Sequence, residues 1–159
     1  MTTKKKVYLA SFLAPMLIML VAWIIDGFFP FGAKSLMAVD FNAQYIGLYA
    51  YFKHLFLNVD WSSFFYSFSK SIGGGMLGIW GFNLLSPFNF LFLLFSEENF
   101  QWVVPVTIAL RYGTMGLTMT HFLVKRYDGL KNKAYLLPIV ATIYALNGFN
   151  VSYQMNPIF

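Results

Sequence analysis

No cysteine occurs among the 159 residues, which excludes disulfides, thiolate metal sites and a cysteine nucleophile. Acids are scarce, six in all, and charged residues make up 11% of the chain, against roughly one quarter in soluble domains. The glycine cluster "GGGMLG" lacks the Lys-Ser/Thr of a phosphate-binding loop and the strand-to-helix context of a dinucleotide fingerprint. No internal repeat or low-complexity tract is evident. What abounds is apolar: 58% hydrophobic and 21% aromatic residues, with a mean hydropathy of +0.61. That composition belongs to a membrane protein. The net charge of +5 does not imply a nucleic-acid partner, because the basic residues flank hydrophobic runs and form no stripe.

Three runs are read as membrane spans, at about residues 7–29, 100–123 and 134–149. A bilayer core takes about 20 apolar residues as helix. The first run follows Lys4, Lys5 and Lys6 and shows no small-residue cleavage site, so it reads as a retained anchor. Lys4, Lys5, Lys6, Lys125, Arg126, Lys131 and Lys133 cluster at the ends that the positive-inside rule assigns to the cytoplasm, whereas Lys34, Lys53 and Lys70 fall between the first two spans. The expected topology is therefore a multi-pass cell-membrane protein with a cytoplasmic N terminus, a cytoplasmic loop at 124–133 and an outer loop at 30–99. His54 and His121 then face opposite sides and cannot form one metal site.

The outer loop is long and greasy. Tyr45, Leu48, Tyr49, Phe52, Leu55 and Phe56 recur at helical spacing after Phe41, which predicts an amphipathic helix lying on the membrane or on other spans. "LLSPFNFLFLLF" at 84–95 is apolar but short, and reads as an interfacial or re-entrant helix. Between them, Gly73, Gly74, Gly75, Gly78 and Gly81 permit tight turns and close approach to a ligand. The chain stops soon after the third span, as expected of the N-terminal part of a longer polytopic protein, inactive by itself.

Asp40 stands where it could cap the predicted helix, or act as a general base or cation ligand at the outer surface. Arg111 lies within a span, where such a residue costs about 2.5–3.5 kcal/mol, so it faces protein or a wet cavity; it could pair with a carboxylate or helix carbonyls, or bind phosphate through its planar fork. Lys70 beside the glycines could do the latter, or be a solvated loop lysine. Gln44, Tyr45, Asn83 and Asn89 could hydrogen-bond sugar hydroxyls; Trp61 and Trp80 could stack on a pyranose face, or serve as interface aromatics. Gly74 would let a ligand approach the backbone.

The blocks "PFGAKSLMAVDFNAQYIGLYAYFKH", "FFYSFSKSIGGGMLGIWGFNLLSPFNFLFLLF" and "ALNGFNVSYQMN", in that order, resemble the N-terminal part of the YfhO family of bacterial membrane proteins. The resemblance implies an all-α GT-C type glycosyltransferase whose first outer loop carries juxtamembrane helices and a catalytic acid. Its donor would be a polyprenyl-phosphate sugar, and its acceptor a cell-envelope polymer such as teichoic or lipoteichoic acid of Gram-positive bacteria. Asp40 occupies the position of that acid, with Gln44, Tyr45, Lys70, Gly74, Trp80, Asn83 and Arg111 as candidate substrate contacts. A divalent metal is left open. The competing readings are a transporter or flippase subunit, with Arg111 lining a path, and a non-catalytic scaffold.

Overall fold

Apolar helix formers follow the three lysines without interruption by glycine, and residues Thr3–Asp26 form α1, 24 residues long. At 1.5 Å per residue that is about 36 Å, enough to cross a bilayer core. A Schellman pair of hydrogen bonds closes the helix, Phe28 N to Trp23 O at 2.9 Å and Gly27 N to Ile24 O at 3.3 Å. The computed structural model describes residues 3–38, 41–70, 72–127 and 134–154. They form two units: the described parts of Met1–Ser35 and Pro105–Gln154 make one, and those of Leu36–Val104 the other.

In the first unit α1 packs along α6 (Leu136–Ala145). Leu137, Ala141 and Ala145, one turn apart, supply the buried face of α6. Long α5 (Phe100–Arg126) runs through Pro105 and approaches α1 at two glycines, Gly113 beside Phe12 and Gly116 beside Ser11 and Pro15. Small residues at such crossings let helix backbones meet, the usual device where lipid removes the hydrophobic drive for helix association. Trp23 is buried and donates its indole N–H to Gln154 Oε1 at 3.0 Å.

The expected third span is interrupted. α6 holds ten residues, about 15 Å, and α7 (Gly148–Ser152) restarts after Asn147. Two asparagines cause the break: Asn147 Oδ1 accepts from Asn150 N at 3.0 Å, and Asn150 Nδ2 donates to Ala145 O at 3.0 Å. Tyr112 Oη donates to Asn150 O at 3.1 Å and ties the junction to α5. Among the described residues α1 alone is both long and apolar enough to cross a membrane by itself. α5 has the length, but Gln101, Arg111, His121 and its threonines dilute its hydropathy.

The second unit is built on stacked rings. A π-helical turn at Phe41–Tyr45 leads into α2 (Ile46–Asn58), and the predicted apolar face is buried at Phe41, Tyr45, Tyr49, Phe52 and Leu55. Tyr49 stacks on Phe92 with ring centres 4.1 Å apart, and Phe92 meets Phe100 edge-on at 5.0 Å. α3 (Trp61–Phe65) runs into the two-residue strand β1 (Tyr66–Ser67), which pairs antiparallel with β2 (Gly74–Gly75). Short α4 (Leu77–Ile79) and a π-helical turn at Trp80–Leu84 follow. The 84–95 segment becomes a 3₁₀-helix at Pro87–Leu94; eight residues at about 2.0 Å each cannot span. Buried Asn89 pins it, donating to Leu84 O at 3.2 Å and accepting from Tyr49 Oη at 3.4 Å. Lys53 Nζ donates to Phe95 O at its far end.

Candidate functional site

A cavity of about 320 Å³ opens in the second unit between the start of α2 and the β1–β2 hairpin. Gln44, Gly47, Leu48 and Tyr51 form one wall; Ser67, Ser69 and Lys70 form another; Met76 and Ile79 close it. The hairpin aims the lysine. Lys70 Nζ donates to Gly75 O at 2.8 Å, and Gly73 N donates to Lys70 O at 2.8 Å. At Gly73 φ is +106°, and a Cβ there would stand 2.6 Å from Tyr66 Oη, so only glycine closes this turn without strain. Gly74 lies under the lysine stem, 3.3 Å from Lys70 Cδ to where a Cβ would be. Ser69 N donates to Ser67 Oγ at 3.1 Å, and Tyr51 Oη is committed to Ser63 O at 3.0 Å.

One ammonium, one amide and two serines against apolar walls suit a ligand with an anionic or hydroxyl-rich head and a greasy remainder. Of lysine's three donors, one is held by Gly75 O. The other two can meet an anion.

The structure thus brings together Gln44, Lys70 and Gly74 of the residues singled out in the sequence. Tyr45 is buried at the base of α2, edge-on to Phe41 at 5.9 Å. Trp80 is 1% exposed; it stacks on Phe64 at 4.8 Å and donates its indole N–H to Phe64 O, so its ring serves the core. Asn83 has its backbone in the turn Trp80–Leu84, and its side chain lies outside the described residues, as Asp40 does entirely. Arg111 belongs to the first unit and is buried in α5. Ser67, Ser69 and Tyr51 were not picked out beforehand. The signal for the two serines was the aromatic–serine alternation of "FYSFS", which predicts a strand with two unlike faces.

At the entry to the hairpin, Asp60 caps α3, its Oδ1 accepting from Ser63 N at 3.2 Å and Ser62 Oγ at 2.7 Å. The hydrogen bonds from Ser63 and Ser62 hold its carboxyl down to about 2. Among the described residues no three His, Asp or Glu side chains gather into a metal-holding group.

The model of a family described as bacterial membrane protein YfhO matches residues 11–159. The chain belongs to the YfhO family. No curated protein and no solved structure gives a match. Membership accounts for an apolar α1 with Leu17, Ile18, Val21, Ile24 and Ile25 all half-exposed or more: in a YfhO membrane protein these side chains meet lipid or further helices. The cavity is lined from two of the three blocks, by Gln44, Gly47, Leu48 and Tyr51 of the first and by Ser67, Ser69, Lys70, Met76 and Ile79 of the one from Phe64 to Phe95.

Proposed function

We propose that this chain is the N-terminal part of a GT-C type glycosyltransferase, and that the cavity at Gln44 and Lys70 receives the phosphate–sugar junction of a polyprenyl-phosphate donor on the outer face of the membrane. The observation that carries this reading is the cavity itself, where an ammonium held by its own hairpin faces an amide across apolar walls. Lys70 would neutralise the phosphate, Gln44 would hydrogen-bond the sugar, and Leu48, Met76 and Ile79 would lie along the first prenyl unit. The proposed topology has spans at about 7–29 and 100–123, a broken third crossing at about 134–149 and a cytoplasmic N terminus, supported by the lysine distribution and by the lengths of α1 and α5.

Asp40, four residues before Gln44 in the chain, is the proposed base. It takes the proton of the acceptor hydroxyl as that oxygen forms a bond to the anomeric carbon. The bond from that carbon to phosphate oxygen breaks, and the electron pair leaves with polyprenyl phosphate. The leaving group is a stable anion at neutral pH and needs no strong acid. Arg111 is proposed as an anion-binding residue of the first unit, and a cell-envelope polymer as the acceptor.

The test uses the full membrane protein with a radiolabelled donor lipid. Asp40→Asn should lower transfer by about 10²–10⁴-fold with donor binding kept, and Lys70→Met should raise the donor KM with kcat less affected. Unchanged transfer in Asp40→Asn removes Asp40 from the mechanism. Donor lipid trapped on the inner face of cells carrying either variant points to transport in place of transfer.

A further inference from the structure

The β1–β2 hairpin is built inside out for water. A hairpin at an aqueous surface turns its apolar side chains inward and its polar ones outward. Here Ser67 is buried, and both Ser67 and Ser69 line the cavity. Tyr66 is 48% exposed, Phe68 81% and Ile72 98%, with Phe65 and Leu77 outward beside them. Gly73 and Gly74, with the Lys70 bond across to Gly75 O, fix this orientation.

The surrounding sequence agrees. From Trp61 to Ser96 the lone charged residue is Lys70, bracketed by Asp60 and by Glu97 and Glu98. A water-facing surface would carry charges of both signs. Exposed Trp61 and Tyr66 beside aliphatic and phenyl groups, with few charges, are the composition of a bilayer interface. The second unit begins at Leu36, ten residues after α1 ends at Asp26, so it is tethered to the membrane that α1 crosses.

We propose that the hairpin tip is a membrane-inserting wedge, with Phe68 and Ile72 seated in the hydrocarbon–headgroup boundary of the lipid bilayer and the serine-lined cavity on the hairpin's protected face. The wedge rests on the membrane character of the chain and not on the transfer reaction. It would let an amphiphile enter the cavity sideways from lipid.

The cysteine-free chain allows a direct test. Phe68→Cys, Ile72→Cys and Glu98→Cys variants, each labelled with a nitrobenzoxadiazole maleimide, are reconstituted into phosphatidylcholine–phosphatidylglycerol vesicles with or without doxyl-labelled lipid. Labels at 68 and 72 should emit to the blue of the label at 98, be quenched several-fold more by doxyl lipid, and be shielded from aqueous iodide. Iodide quenching at 68 and 72 equal to that at 98 would overturn the proposal. So would protection from both quenchers, which would mean that protein covers the hairpin. Unchanged intrinsic tryptophan emission checks each fold, and the readout is independent of whether Asp40→Asn abolishes transfer.

Discussion

Gly113 and Gly116 sit three residues apart on α5, yet alanine at the two positions should change stability in different ways. In both places alanine gains helix propensity, at most about 1 kcal/mol over glycine. The obstacles differ. A Cβ at Gly116 would stand 2.1 Å from the backbone oxygen of Ser11 and 3.0 Å from Pro15 Cγ. Ordinary contact begins near 3.4 Å, so the α1 backbone must retreat by about 1.3 Å, which sets the cost at the upper end of the overpacking range, about 3 kcal/mol. A Cβ at Gly113 meets the Phe12 ring at 2.7–2.9 Å; that ring can turn, for a cost of about 1 kcal/mol. Gly116→Ala should therefore lose about 2 kcal/mol net, and Gly113→Ala about nothing. Thermal unfolding in detergent micelles, followed by the monodisperse fraction remaining after heating, should show a clearly lower midpoint for Gly116→Ala and an unchanged one for Gly113→Ala. Equal midpoints for the two variants would refute the close crossing of α1 and α5, and with it the packing of the first unit.

Trp80→Phe keeps the stack on Phe64 and deletes the indole N–H that meets Phe64 O; it should cost about 1–3 kcal/mol of stability and leave donor KM unchanged, whereas a rise in KM without destabilisation would restore Trp80 as a sugar contact. Asp60 has its carboxyl held down to about 2 from 3.8, so its cap stabilises the fold above about pH 4 and that contribution is lost as pH falls through about 2. Asp60→Asn should flatten the acid side of the stability profile between those values, and an unaltered slope would show that the Ser62 and Ser63 bonds do not couple to folding.

Much of the architecture was legible because its signals are local and periodic. The face of α2 at Tyr45, Tyr49, Phe52 and Leu55 follows from spacing alone, and those residues are buried. The run of α1 was also plain, although it ends at Asp26 and not near Phe29, since Gly27 and Phe28 supply the closing hydrogen bonds. The break in the third span was not foreseen. Hydropathy averages over Asn147 and Asn150, and it registers nothing of the two bonds by which they end α6 and restart α7. In the cavity, Gln44 and Lys70 could be named because an amide and an ammonium beside glycines carry obvious chemistry. Ser67 and Ser69 could not, because their inward orientation reverses the usual rule and depends on β2 lying across from them. Trp80 looked like a stacking platform only because Phe64, sixteen residues away, was not known to cover it.

The blocks that carry the family resemblance divide by what their polar residues touch. In "LLSPFN" Asn89 is fully buried and joins Leu84 O to Tyr49. In "NGFN" both asparagines bond to neighbouring backbone. Their polar atoms serve the fold, and loss of function on substituting Asn89 would report lost structure, since a buried group left unpaired costs about 1–3 kcal/mol. "SKSIGGG" is different in kind. Its glycines set a turn, but the side chains the turn presents, Ser69 and Lys70, end in a cavity and not in the core. An ammonium placed there contributes little to stability through one exposed bond to Gly75 O. Stability alone therefore gives no reason for the lone charge between Trp61 and Ser96, and the proposed anionic ligand would supply one.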